Sequence, residues 1–339
     1  MKAFLFASAA ALTTANGALA ADAIVAAEPE PMEYVRVCDA FGKGYFYIPG
    51  TETCLKIGGY LRFQTDFGSD KSGTSDWNTF TRAQLVFTAK NDTEFGTLTS
   101  VAALRTNARN SSGASNNNTF LDEGYFDIAG FRVGMQYSWW DDDLSGETDS
   151  IASNETRHNA IRYQYETDAF AAGIAVEELE DSYDTKPGEG PNNIGITGQV
   201  SGTAGAFSAY LLGGYDTDTE EGAIRAIVYA DLGPGQLGVY GVYATGANYY
   251  YEDSEWTVGA QYELKVNDKF AITPGFQYFS NIDLSSTGNS FGGGDAWTGG
   301  VTVDYKITDG LKTKVSLQYQ DEDDGDDEVF GFVRLQRDF

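Results

Sequence analysis

Four arginines and one block of carboxylates carry the chemistry this sequence offers. Arg62, Arg82 and Arg132 sit on the polar parity of three separate alternating stretches, and Arg105 joins them from a fourth. A polar insert, residues 139–157, holds Asp141, Asp142, Asp143, Glu147 and Asp149. Arginine keeps its charge and presents a planar fork of donors. A row of them opposite a carboxylate-bearing segment would put a transverse field across a narrow passage, and fixed charges grouped in this way are how pores discriminate among ions. The plainer reading is that each arginine pairs with a neighbouring carboxylate as a strut between strands. Asp141, Asp142 and Asp143 could equally be a solvated loop edge or oxygen ligands for a hard cation. They lack the spacing of a calcium loop, so no metal site is expected.

Enzyme chemistry finds little support. His158 is the sole histidine, and neither Gly-x-Ser-x-Gly nor a metal-ligand cluster occurs. No catalytic residue and no cofactor are expected; a barrel hydrolase pairing His158 with a serine is the remaining enzymatic alternative, against a structural role at a strand start. The formal charge of -28 argues against nucleic-acid partners, whose phosphates call for basic surfaces. The acidic runs Glu177-Glu178, Glu180-Asp181 and 321–328 read as solvated loops facing outward.

The elements that must position these charges show a period of two. Around the insert, Phe131, Val133, Met135 and Tyr137 alternate with Arg132, Gly134, Gln136 and Ser138, and a second strand runs over 158–166. Leu61 and Phe63 flank Arg62, and Ala83, Leu85 and Phe87 alternate with Arg82, Gln84 and Val86. Alternation is less clear over 95–106. Later stretches repeat the pattern, for example Phe170, Ala172, Ile174 and Val176, then Trp256, Val258, Ala260 and Tyr262, then Leu311, Thr313, Val315 and Leu317. About sixteen strands result, joined alternately by tight turns and long polar loops. Tyr165, Tyr215, Trp256, Tyr262, Tyr278, Trp297, Tyr305 and Tyr319 recur near strand ends, as interfacial girdles require. Mean hydropathy is -0.33, but lumen-facing polar residues cancel lipid-facing apolar ones in a membrane barrel. The expected fold is all-β, an antiparallel transmembrane barrel of about 16 strands. Its insert 139–157 is expected to fold into the lumen as a constriction, because a loop this long in a regular array is uncommon without a function.

The N-terminus reads as an export signal. Lys2, an apolar run from Ala3, and Ala18-Leu19-Ala20 predict a signal peptide over 1–20. Residues 21–54 form a lead-in, and 55–339 the barrel. Cys38 and Cys54 are the only cysteines, an even number in an exported chain, which favours a disulfide over two free thiols.

The run Val-Arg-Val-Cys-Asp-Ala-Phe-Gly-Lys-Gly-Tyr-Phe-Tyr-Ile-Pro-Gly-Thr-Glu-Thr-Cys, residues 35–54, resembles the start of the alphaproteobacterial general porins of Rhizobiales such as Brucella. The lead-in 21–31 and the last strand ending in Phe339 are similar to that family too, although Arg337 stands where barrel signals usually carry an apolar residue. The resemblance implies a sixteen-stranded homotrimer in the outer membrane of a Gram-negative bacterium, with short periplasmic turns and long extracellular loops. It implies passive diffusion of ions and small hydrophilic solutes, constriction by the third long loop, and outer-membrane lipid and lipopolysaccharide as surroundings. A substrate-selective channel and a non-conducting envelope anchor are the alternatives.

Overall fold

The computed structural model describes residues 35–109, 118–153, 156–179, 193–285, 289–323, 325 and 327–339. The expected signal peptide and the first part of the lead-in, residues 21–34, lie outside them. A two-residue strand β1 (Phe46–Tyr47) precedes β2 (Cys54–Phe67), β3 (Trp77–Thr93), β4 (Gly96–Arg109), β5 (Thr119–Ile128) and β6 (Phe131–Tyr137). After the insert come β7 (Arg157–Glu166), β8 (Phe170–Glu178), β9 (Ile194–Ala204), β10 (Phe207–Asp216), β11 (Glu221–Leu232) and β12 (Gly235–Ala244). The chain finishes with β13 (Trp256–Asn267), β14 (Phe270–Ser280), β15 (Asp295–Thr308), β16 (Leu311–Glu322) and β17 (Glu328–Asp338). Each strand from β2 onward pairs antiparallel with the next, and β17 returns to pair with β2 through Leu335↔Phe63 and Gln336↔Arg62. Sixteen strands therefore close a barrel, and closure leaves no strand edge unpaired.

Polarity is inverted relative to a soluble sheet. Outward residues are apolar, Leu61 at 51% exposure among them, with Val133, Ile161, Ile174, Ile224, Val258, Leu317 and Val333 around the circumference. The opposite parity buries Gln64, Gln84, Gln136, Thr197, Gln261, Gln277, Thr302, Gln318 and Gln336 inside. Turns at one rim are tight: Ala129 and Gly130, both at positive φ (52° and 85°), join β5 to β6 as the right-handed twist of a hairpin favours. Connections at the other rim are longer, apart from the short one between β10 and β11, residues 217–220. Rings at the barrel margins pair across strands, as in Trp256 with Tyr278 and Trp297 with Tyr319.

Cys38 and Cys54 are disulfide-bonded, and Cys54 is already the first residue of β2, opposite Lys90. Three boundaries differ from the sequence reading. Arg157 begins β7 rather than ending the insert, and β4 extends to Arg109. Glu177 and Glu178 belong to β8; Glu177 is not a solvated loop charge but 1% exposed, accepting hydrogen bonds from Thr197 and Tyr250. A bulge interrupts the pairing of β4 with β5, since Ala103 faces Glu123 and Leu104 faces Leu121, which leaves Asp122 as the extra residue on β5.

Candidate functional site

The insert runs inside the barrel and is seated on the wall built by β8 to β16. Ser138 starts it by accepting the Trp140 N–H, opening a 3-10 turn over Trp139–Asp141. Trp139, Trp140, Leu144 and Ile151 then pack with Ala175, Leu212, Ala223, Ile227, Tyr240 and Val242 in an apolar cluster. The wall makes room at glycines: a Cβ on Gly173 would lie 2.7 Å from the Trp139 ring, and one on Gly214 2.7 Å from Tyr250 and 2.8 Å from Trp140.

Wall amides stand in for strand partners. The Gln277 side chain accepts the Ser150 N–H at 2.8 Å and donates to the Ser150 carbonyl at 2.7 Å. Gln261 accepts the Gly146 N–H at 3.0 Å and donates to Ser145 Oγ at 2.9 Å. Arg225, 2% exposed, donates to the carbonyls of Trp139 (2.6 Å) and Trp140 (2.9 Å) and reaches that of Ile151 (3.4 Å), tying both arms of the insert to β11.

A second connection, residues 245–255 between β12 and β13, also turns inward. Tyr249, Tyr250 and Tyr251 are buried in the same cluster, and Tyr250 stacks on Trp140. Asp253 accepts hydrogen bonds from Ser150 and Ser153, clamping the far arm of the insert. Nothing in the sequence reading marked this connection; its Asn248-Tyr249-Tyr250-Tyr251 run, polar and aromatic between two strands, was the available signal.

The five insert carboxylates part company. Asp141, Asp142 and Asp143 are exposed to the lumen, where they line a cavity of about 420 Å³ with Gln199, Tyr210, Arg225 and Tyr229. Surrounding protein raises the Asp142 and Asp143 carboxyls above their ordinary range, with Arg225 opposing the rise at Asp142. Glu147 is ion-paired with Lys314 at 3.0 Å. Asp149 turns back to accept the Leu144 N–H at 2.6 Å, and burial pushes it up to about 7 against the pull of that bond.

The four predicted arginines divide as well. Arg105 meets Asp122 at 2.6 Å, and the bulge that aims this carboxylate inward, at 0% exposure, also gives it to Arg157 at 3.1 Å. Gln84 and Tyr137 donate to Asp122 too, so Tyr137 does not simply follow the apolar row of its strand. Arg132 is bound to Asp127 at 2.8 Å, close to the Ala129-Gly130 turn. Both follow the strut reading.

Arg62 and Arg82 do not. They face one another directly across β2 and β3, and among the described residues neither has a carboxylate within ion-pair distance. Arg334 of β17, absent from the sequence reading, lies diagonal to Arg62 and shares this condition. Each sits two residues after an aromatic ring on its own face and lies over it: Arg62 on Tyr60 (4.9 Å), Arg82 on Phe80 (5.3 Å), Arg334 on Phe332 (4.3 Å). Nε of each donates to a neutral amide, in Gln336, Asn107 and Gln64 respectively. Gln336 and Gln64 pass the polarity on to Asp338 and Asp66.

A closed barrel, apolar outside and polar inside, with a loop folded into the lumen opposite an arginine-bearing wall, is the architecture of an outer-membrane porin. Residues 22–333 match the family described as the porin subfamily, and the chain belongs to it. It is 50% identical to outer membrane protein IIIA of Rhizobium leguminosarum bv. viciae over 97% of this chain and 92% of that protein. Identity to porin Omp2b of Brucella suis is 33%, covering 96% of this chain and 85% of the relative. OmpT of Vibrio cholerae, solved in a trimer form, superposes with a TM-score of 0.60 at 16% identity, over 85% of this chain and all of that one. The protein is thus an outer-membrane diffusion channel, with its tight turns periplasmic and its long connections extracellular.

Proposed function

We propose that the insert and the arginine wall together form the narrow point of this porin. The observation that carries it is the split in the charges: among the described residues Arg62, Arg82 and Arg334, on β2, β3 and β17, have no carboxylate at ion-pair distance, while Asp141, Asp142 and Asp143 project from a loop seated on β8 to β16. The two sides carry opposite charge, so their fields add across a water-filled gap between low-dielectric walls, where they are focused. Ions and small hydrophilic solutes pass by passive diffusion. The outer acidic loops set a weak preference for cations. Screening limits their reach to about 8 Å at physiological salt and ~3 Å at 1 M, so the preference fades as salt rises.

The homotrimer is part of this proposal, supported by the trimer form of the OmpT neighbour. So are contacts with outer-membrane lipid and with lipopolysaccharide, whose phosphates divalent ions would bridge to the acidic loops. A passive role without catalysis is supported by His158, which is 2% exposed and packed edge-on against Tyr249 as a structural residue would be. Reversal potentials in planar bilayers test the constriction. Replacing Asp141, Asp142 and Asp143 together by Asn shifts the potential towards anions, and Arg62→Gln with Arg82→Gln shifts it towards cations. Unchanged selectivity in both variants would remove the charges from the passage.

A further inference from the structure

Arg62 and Arg82 pose a problem that a transverse field does not need. Like charges directly opposite on neighbouring strands are destabilising, with Cβ atoms about 5 Å apart. Here the pair is held in place, and Arg334 adds a third cation on the diagonal, about 7 Å away. Arg62 lies within electrostatic reach of Arg334, Arg82 and Arg105 together. Carboxylates do occur nearby: Asp66 and Asp338 are each approached through a glutamine amide rather than by the guanidinium itself, and Glu147, which acts on Arg334 through space, is ion-paired with Lys314 instead.

The hydrogen bonding is also one-sided. In all three arginines only Nε is engaged, and among the described residues their Nη groups donate to nothing. The amide on Nε and the ring beneath fix the plane of each guanidinium. What remains free is the two-nitrogen edge, the edge that grips two oxygens of a phosphate or carboxylate in parallel. All three side chains are half-buried on the lumen face, accessible to solute.

We infer that Arg62, Arg82 and Arg334 form a docking site for doubly charged oxyanions, of which phosphate and phosphate monoesters are the fitting class. A dianion bridging Arg62 and Arg82 cancels their repulsion, which a single chloride does only in part. The site rests on the proposed constriction reading, since it needs these arginines to line the conducting path. Its function would be to detain phosphorylated solutes at the narrow point while other solutes pass unbound.

The test is single-channel recording of the purified porin in potassium chloride with inorganic phosphate added at pH 8. Phosphate should lower the conductance saturably in the parent channel. Arg62→Lys with Arg82→Lys keeps both charges and loses the forks, so it should preserve the reversal potential while weakening the block roughly tenfold or more, the scale of a lost charge-assisted hydrogen bond. Arg132→Gln, at the paired arginine near the turn, should leave the block unchanged. A parent channel that phosphate does not block, or a lysine double variant blocked with undiminished affinity, would overturn the site. Either result is distinguishable from failure of the constriction, in which Arg62→Gln with Arg82→Gln leaves selectivity itself unmoved.

Discussion

Arg225 is the point at which the constriction can be loosened without touching the barrel ladder. Arg225→Met keeps most of the aliphatic length and removes the guanidinium that joins β11 to the carbonyls of Trp139 and Trp140 at 2.6 and 2.9 Å. Hydrogen bonds from a charged donor contribute about 1.5–3 kcal/mol each. The longer reach to Ile151, at 3.4 Å, adds little. Methionine in the vacated space restores some apolar contact with Trp140, which the guanidinium now overlies at 5.1 Å. A net loss of about 3 kcal/mol remains, enough to raise the detached population of the insert about a hundredfold. Leu144, an insert residue 5% exposed where it packs against the wall, reports that opening if replaced by cysteine. The native Cys38–Cys54 pair is already bonded and does not compete for reagent. Labelling of Leu144→Cys by a water-soluble maleimide should accelerate about a hundredfold when Arg225→Met is added, with greater open-channel noise and unchanged thermal melting of the barrel. Labelling within a factor of about three of the parent would refute the strap, because the glutamine rungs and the tyrosine loop would then hold the insert unaided.

Four further outcomes follow from the same geometry. Cys38→Ser should lower heat resistance by about 3 kcal/mol, the value for closing a loop of this size in the chain-entropy treatment, while single-channel conductance stays the same; an unaltered melting point would count against a stabilising staple. A cysteine at Arg62 should react with a water-soluble thiol reagent and change the current, whereas one at Leu61 should be shielded by lipid; equal reactivity would put the register off by one residue. Asp149 sits at about 7 in the folded insert, above the carboxylate range of an open chain, so its contribution is complete below about pH 4 and lost as pH rises through about 7. Leu144→Cys, corrected for thiolate fraction, should therefore label faster at pH 8 than at pH 5, and Asp149→Asn should flatten the profile. Finally, Gly214→Val should displace Tyr250 and Trp140 and raise open-channel noise; a silent substitution would show that the seat is not tightly filled.

The barrel was legible because its rule is local. One parity faces lipid and the other water, so strands such as β2, with Leu61 and Phe63 against Arg62 and Gln64, declare themselves residue by residue. Where a loop lies against the inner wall, the rule fails. In β11 the inward row is Ala223, Arg225, Ile227 and the outward row Ile224, Ala226, Val228; both are largely apolar, because the inward row is covered by Trp140 and Leu144. Arg225 was therefore hidden in a strand with no readable lumen face. Asp122 escaped for another reason, since a bulge shifts parity by one and no sequence pattern announces it. Arg334 was recoverable: Phe332-x-Arg334 repeats the spacing of Tyr60-x-Arg62 and Phe80-x-Arg82 on adjoining strands.

Why an acidic chain should keep bare cations in its lumen follows from the same contrast. Arg105, Arg132 and Arg157 each have a carboxylate on the wall itself, so for them pairing is what the sequence supplies. For Arg62, Arg82 and Arg334 the cross-strand partners are Gln336, Asn107, Gln64 and Lys314, with Arg62 and Arg82 facing each other, so no carboxylate stands in register and the amides orient each guanidinium while leaving its charge intact. An isolated cation in a lumen walled by low dielectric would be costly if the space were dry. Water in the passage makes it tolerable, and a passing anion makes it favourable. Carboxylates on the same wall would quench the field locally, as Glu147 of the insert does for Lys314, the cross-strand partner of Arg334. Placing the acidic triplet on the insert instead separates the charges by the width of the path, so the field is spent on whatever crosses it. The seat of the insert is then as much a part of selectivity as the charges, which is why a buried strap at Arg225 and a pair of exposed forks at Arg62 and Arg82 belong to one mechanism.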